Sequence, residues 1–399
     1  MPIDWDAQRK RIIQDPTIIN LNTGSFGPVP RVVFDRANAH REQLAAEPTD
    51  FFVRRVPPLL WHARERLASF LNSDPKRLVF TSNVSSAINL VLSGIRLSSP
   101  GEILLTDHEY GAMHWCCERF AQRQGLTLRT FPLPTMANDP GEIVEAFRGA
   151  LRPQTRIAFF SHILSPTGLV LPAAEMCREA RRLGVMTLID GAHAPAMIPL
   201  DVGAINADFY AGNCHKWLLA PSGSGFLVIG PGNEDRVQPL EVSWGYHYDR
   251  SRADERDEFG STPRTRFLEF EGTRDICPWL VTPDAIDFQT EIGWDAVRGR
   301  IAELAGYVRR RMSETLGLPP ATPDVSRMCG SLTAFRLPDG IDAKRLREAI
   351  WKHRIEIPIV ERPDRLLIRF STHFYNLESE IDRLLEVLPD ALQFARVNG

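Results

Sequence analysis

Long apolar runs are missing from this 399-residue chain: no uninterrupted stretch approaches the roughly 20 residues that a membrane-spanning helix requires. The opening residues MPIDWDAQRKRII hold no apolar block, so a secretory signal is not expected. An excess of one charge is missing too. The 47 Lys and Arg against 50 Asp and Glu leave a net charge of −3 with His neutral, which gives neither nucleic acid nor an anionic membrane an electrostatic reason to bind. Cysteine is sparse. The six are Cys116, Cys117, Cys177, Cys214, Cys277 and Cys329; none forms a CxxC pair, and no Cys/His group has zinc spacing, so no metal site is expected. Cys116 and Cys117 adjoin on an expected helix, where a disulfide between them would be strained. Reduced thiols in a cytoplasmic protein follow as the expectation. Internal repeats and low-complexity tracts are also absent.

What is present is an ordinary globular composition, long enough for a large core and two domains. From about residue 79, short apolar runs alternate with amphipathic stretches. LVF, EILLTD, RIAFFSHI, VMTLID, DFYAGN and GFLVIG read as strands, with helices expected over 85–97, 113–124, 142–151 and 173–183. That alternation predicts an α/β fold with a largely parallel sheet covered by helices on both faces, and ligands at the C-terminal ends of its strands. The polar stretch 251–266 reads as a surface connection. Beyond it, helices over 294–316, 343–353 and 378–395 and strands over 331–336 and 366–371 predict a smaller α+β domain. The division expected is 1–20 as a segment packing on the small domain or a partner, 21–285 as the large domain and 286–399 as the small one.

Three motifs carry chemistry. In NCHKW, Lys216 follows a short strand; a lysine becomes a nucleophile where burial or nearby cations destabilise its ammonium, and His215 beside it is placed to bind a phosphate or hold the lysine. Read alone, a surface lysine after a strand is the stronger reading, since HK is a common dipeptide. In LIDGAH, three apolar residues lead into Asp190 at a strand end, where a buried carboxylate needs a cationic partner such as a protonated ring nitrogen; helix capping is the plainer alternative. In FTSNVSSAIN, a strand gives way to small polar residues and then a helix, whose free N–H groups and dipole suit a phosphate; Asn83, Val84 and Ser85 form that turn, and in isolation a simple capping sequence is the stronger reading. The order is phosphate cradle, strand-end carboxylate, then lysine, and it ties the three together.

These motifs, with LNTGSFGPVP at 21–30, DHEY at 107–110, SPTGLVLP at 165–172 and EGTRD at 271–275, resemble the class-V aminotransferase family of fold-type I enzymes that use pyridoxal 5′-phosphate. Within that family the resemblance is to the isopenicillin N epimerase-like branch, and it spans nearly the whole chain. It implies that Lys216 is the Schiff-base lysine, that Asp190 partners the pyridine nitrogen, and that His193 contacts the ring. It implies a phosphate site from Asn83, Val84, Ser85 and His215, with Asn213 where many relatives have serine. Gly272 and Thr273 resemble a Gly-Thr pair that reaches the phosphate of the neighbouring subunit, which implies a homodimer with shared active sites. His108 or Tyr110 is implied to stack on the cofactor or to act as an acid. His162 is implied to contact the phenolic oxygen, although SHILSPTG departs from the Asn-containing version. Arg369, on an apolar strand, resembles the arginine that grips a substrate carboxylate; a structural salt bridge is its alternative.

The function so implied is α-proton abstraction by Lys216 from an amino acid or amino-acid-bearing metabolite joined through an external aldimine, with epimerisation leading. Transamination and β-elimination of a C–S bond are the alternatives, and a non-enzymatic binding module on the same fold is disfavoured by the intact Lys216–Asp190 pair. A persulfide mechanism is marked down because no cysteine lies between Ser331 and Arg369. Trp244, Tyr246 and His247 are candidates for the substrate pocket or for an ordered loop, Cys329 for a small buried hydrophobe, and Phe51 and Phe52 for core or interface packing.

Overall fold

The computed structural model describes residues 3–247 and 249–397. Two helices, α1 (Arg31–Ala46) and α2 (Val56–Phe70), precede a large sheet. Its strands are β1 (Leu78–Thr81), β2 (Glu102–Thr106), β3 (Thr127–Phe131), β4 (Thr155–Ser161), β5 (Met186–Gly191), β6 (Phe209–Asn213) and β7 (Gly225–Ile229). The helices α3 (Val84–Gly94), α4 (Gly111–Gln124), α5 (Pro140–Ala150) and α6 (Ala173–Arg182) follow β1, β2, β3 and β4 in turn. The strand order is β1-β7-β6-β5-β4-β2-β3. Pairs from β6 through to β3 are parallel, while β7 runs antiparallel to both β6 and β1. The α/β fold with a mainly parallel sheet is therefore realised.

Side-chain alternation assigns the two faces. Val79, Ile103, Leu105, Phe159 and Leu188 pack with α3 and α4. Phe80, Leu104, Phe160 and Ile189 pack on the other face with α1, α2, α5 and α6. Each such side chain, fully buried, contributes roughly 1.5–3 kcal/mol. Strand β3 escapes the apolar-run reading because it is an edge strand whose side chains are mostly not buried.

After the long helix α7 (Trp294–Leu316) comes a three-stranded antiparallel sheet of β8 (Leu332–Arg336), β9 (Ile359–Arg362) and β10 (Arg365–Ser371), in the order β9-β10-β8. Helices α8 (Ala343–Trp351) and α9 (Glu378–Ala395) pack with it in a separate apolar cluster. The N-terminal segment joins the two sheets. Ile19–Asn20 pairs in parallel with Ile355–Glu356, and Leu21 accepts from the Ser371 N–H at 2.9 Å. A few residues on, the Gly27 N–H donates to the His215 carbonyl at 2.9 Å. A Cβ at Gly27 would sit 2.1 Å from the Lys216 carbonyl oxygen, so only glycine lets this segment cross the lysine turn.

One expectation needs correction. The stretch 251–266 is not surface connection throughout. Thr262 caps a helix over Pro263–Glu269 in which Thr265, Phe267, Leu268 and Glu269 are buried, and Glu269 pairs with the buried Arg64. The many charges hid it: the buried arginine is matched by a carboxylate from a segment that looks solvent-facing in sequence.

Candidate active site

Because β1 and β6 both run antiparallel to β7, β1 shares its direction with the parallel strands, and their C-terminal ends meet at one edge. A cavity of about 440 Å³ opens there, where open α/β sheets collect ligands. Its walls hold ten of the residues singled out in the sequence, among them Ser85, Asp190, His193, Asn213, Lys216 and Arg369.

One wall is the start of α3. The Asn83 side chain caps the helix by accepting from the Ser86 N–H at 2.9 Å, and the Val84 N–H donates to the Asn213 amide oxygen at 2.9 Å. Those bonds occupy two of the free groups expected for a phosphate. The Ser85 N–H, the Ser85 hydroxyl and the Asn213 amide nitrogen have no acceptor among the described residues, and they sit at the positive end of an 11-residue helix. His215 flanks them. Its Nδ1 lies 3.3 Å from the Ser224 carbonyl, and Phe26 stacks on its ring. A carbonyl only accepts, so Nδ1 is the donor and Nε2 is left over. Burial, with Lys216 nearby, holds this imidazole below its usual range.

Asp190 ends β5. Burial raises its carboxyl, the Ala192 N–H (2.9 Å) and Lys216 oppose that rise, and it forms no ion pair among the described residues. Lys216 lies on the turn after β6, and burial pulls its amine down to about 8. Asp190 works against that shift and Arg369 adds to it. His193 lies behind, with Nε2 3.4 Å from the Lys216 amine and Nδ1 3.3 Å from the Trp217 indole nitrogen. Burial, reinforced by Lys216 and Arg369, keeps this ring well below the usual histidine range.

Opposite, Arg369 projects from β10. It is buried, and it donates to the Ser165 carbonyl at 2.7 Å, the Ser165 hydroxyl at 3.1 Å, Asn22 at 3.3 Å and Ser25 at 3.4 Å. No carboxylate pairs with it among the described residues, its Nε lacks any partner, and burial lowers the guanidinium to about 10. A structural salt bridge is therefore not what holds it. A buried cation satisfied by neutral oxygens alone is half of a charge pair. The Ser165 that seats it belongs to a turn closed by Gly168 (φ +84°), where a Cβ would lie 2.0 Å from the Leu332 carbonyl oxygen.

The remaining candidates are less central. Tyr110 lines the cavity and is half exposed. His108 is buried against Asp107, with Nδ1 2.6 Å from that carboxylate, and does not line the cavity. His162 does not line it either: Ser161 and Ile163 face the cavity, so the intervening ring turns to the far side and meets the Tyr210 hydroxyl at 2.9 Å. Gly272 and Thr273 lie at the surface, outside the chain's own cavity. Trp244 is 88% exposed, Tyr246 stacks on Phe267 with His247 against its edge, and neither ring lines the cavity. Phe51 is core, and Cys329 is half-buried with its thiol on the Pro323 carbonyl at 2.7 Å.

Sequence reading missed Ser165, Trp217 and Glu109. Glu109 is buried, accepts from the Ser161 N–H (3.0 Å) and hydroxyl (2.6 Å) and from the Thr106 hydroxyl (2.5 Å), and is raised to about 7 by burial. It ties the ends of β2 and β4 together below the cavity. The acidic residue inside DHEY was its only signal.

The cavity thus offers unpaired donors at a helix N-terminus, an unpaired carboxylate, a depressed lysine and an unpaired guanidinium. A phosphate, a cationic ring nitrogen, a carbonyl and a ligand carboxylate complement these groups in turn, so the donor set fits pyridoxal 5′-phosphate with an amino-acid substrate.

Comparisons with known proteins agree. The family model "Aminotransferase class-V" matches residues 28–384. The chain is 52% identical over 392 residues to the isopenicillin N epimerase of Streptomyces clavuligerus, covering 98% of each. It is 52% identical over 391 residues to the isopenicillin N epimerase of Amycolatopsis lactamdurans, covering 97% of this chain and 98% of the other. Among solved structures, a cystine C–S lyase in complex with its product cysteine persulfide superposes with a TM-score of 0.81 at 26% identity, covering 94% of this chain and 98% of that one.

Proposed function

The chain belongs to the class-V aminotransferase family, and on that premise we propose that it is a pyridoxal 5′-phosphate-dependent epimerase acting on the α-carbon of an amino-acid-bearing metabolite of the isopenicillin N type. The observation that carries this reading is the 52% identity, across 98% of the chain, to an isopenicillin N epimerase. When bound, the cofactor supplies a carbonyl for the substrate amine and a ring that takes up the electron pair left at the α-carbon.

The chain's own residues do the rest. Ser85, Asn213 and His215 hold the phosphate, Val84 fixes Asn213, and Asn83 caps the helix. Asp190 holds the positive ring nitrogen. Lys216 would hold the cofactor's carbonyl, and its amine would take the α-proton, which its depressed basicity permits near neutral pH. Arg369 takes the α-carboxylate and so fixes which bonds at the α-carbon face Lys216. Tyr110 lines the cavity and is the candidate to return a proton on the other face, whereas His108 is paired with Asp107 outside the cavity lining. His193 faces Lys216, whereas His162, implied by the resemblance to contact the phenolic oxygen, turns to Tyr210 and is left without that role.

The same proposal includes a homodimer. Gly272 and Thr273 at the surface would complete the partner's phosphate site. It also includes a cytoplasmic location and division at 21–285 and 286–399, with 1–20 packing alongside. Light scattering and limited proteolysis test assembly and boundaries.

Incubation with isopenicillin N in D2O tests the reaction. Deuterium at the α-carbon with both epimers formed is the expected result. Keto-acid formation without α-exchange in recovered substrate would replace epimerisation with transamination; pyruvate and ammonia from cysteine derivatives would indicate the lyase. A purified protein that neither takes up the cofactor nor absorbs near ~420 nm would overturn the whole reading.

A further inference from the structure

We infer that Trp217 is a positioning residue that fixes the tautomer of His193, so that the imidazole proton sits on the nitrogen facing Lys216. The inference rests on the reading of Lys216 as the reactive amine, but its first observation concerns His193 alone.

An indole nitrogen is a donor only. The Trp217 Nε1–H lies 3.3 Å from His193 Nδ1, so Nδ1 must carry the lone pair. A neutral imidazole has one proton, which is then on Nε2, 3.4 Å from the Lys216 amine. Neutrality is supported from every side: the ring is buried, and Lys216 and Arg369 both disfavour its cation. An Nε2–H aimed at the amine can bond only to a lone pair, so the contact favours unprotonated Lys216 and opposes an ammonium. Of the groups that bear on Lys216, Asp190 favours the ammonium, while Arg369 and His193 oppose it.

Trp217 is held firmly enough to do this. Its side chain is fully buried and stacks on His373, with centroids 5.9 Å apart at 24°. Its carbonyl accepts from Gln289 Nε2 at 3.0 Å and from His373 Nε2 at 3.0 Å. The indole therefore has little freedom to turn its N–H elsewhere.

The test begins with the cofactor-free wild-type protein carrying 15N-histidine. Long-range 1H–15N spectra report the tautomer of each imidazole, and the His193 signals are identified by their loss in His193→Gln. A His193 protonated on Nε2 is expected, and one protonated on Nδ1 overturns the inference without any change at Trp217. Next, Trp217→Phe keeps the ring stack and removes the donor. It should give a tautomer mixture and raise the pH midpoint for borohydride-trapped labelling of Lys216 by pyridoxal 5′-phosphate by about one unit, the size expected from losing one hydrogen bond. An unchanged tautomer and midpoint would show that Trp217 only packs. Absence of Lys216 labelling in the wild type would instead defeat the proposed function and leave the tautomer result standing.

Discussion

Replacing Arg369 with glutamine separates a substrate-binding arginine from a structural one. The guanidinium is buried with only neutral acceptors, and its strongest bond is to the Ser165 carbonyl at 2.7 Å. Removing the charge abolishes a desolvation cost of several kcal/mol. Leaving that carbonyl and its neighbours with poorer partners costs roughly 1–3 kcal/mol. The two effects offset, so the unfolding free energy of Arg369→Gln should stay within about 1 kcal/mol of the wild type or rise above it. Binding behaves differently. A charge-assisted hydrogen bond contributes about 1.5–3 kcal/mol, so loss of carboxylate recognition should lower kcat/KM roughly a hundredfold. The assay is α-proton exchange in D2O for isopenicillin N and for an analogue whose α-carboxylate is an amide, alongside urea unfolding of both proteins. The wild type should discriminate strongly between the two substrates, and Arg369→Gln should not. An equal drop for both substrates, or a stability loss of several kcal/mol, would refute the assignment.

Lys216→Ala should abolish the absorbance of the cofactor-bound lysine and leave noncovalent uptake measurable by dialysis. Titration of the wild type should show Lys216 labelling rising as pH increases through about 8, because the unprotonated amine is the nucleophile. Acid should destabilise the fold through His162 and His373, each held by burial down to about 4. Their folded-state values lie below the unfolded one, so the unfolded chain binds protons first; stability is lost as pH falls from about 6.5 towards 4, by up to roughly 1.4 kcal/mol per unit for each ring, and urea midpoints across that range should record it. Gly27→Ala places a methyl against the Lys216 carbonyl oxygen and should cost about 1–3 kcal/mol in urea unfolding while weakening cofactor retention in dialysis.

The amino-acid order determined the alternation of strands and helices and the sites of Asp190 and Lys216, because strand-end motifs bring their own local geometry. Trp294–Leu316 and Glu378–Ala395 were readable to the residue from helical periodicity alone. What lay beyond reach were features set by partners far along the chain. Strand β3 is stabilised by pairing at an edge rather than by an apolar run. The helix over Pro263–Glu269 is buried because Arg64, 205 residues away from Glu269, needs a carboxylate. The same distinction divides the site. Sequence placed the Asn83–Ser85 turn, Asp190 and Lys216 on one sheet edge, and tertiary structure decided which side chains face the cavity. It turned His162 to Tyr210, buried His108 on Asp107, seated Arg369 on Ser165 and set His193 between Trp217 and Lys216. Local order fixes which atoms are available; packing between distant segments fixes where each hydrogen bond and charge is spent, and so which groups are left for a ligand.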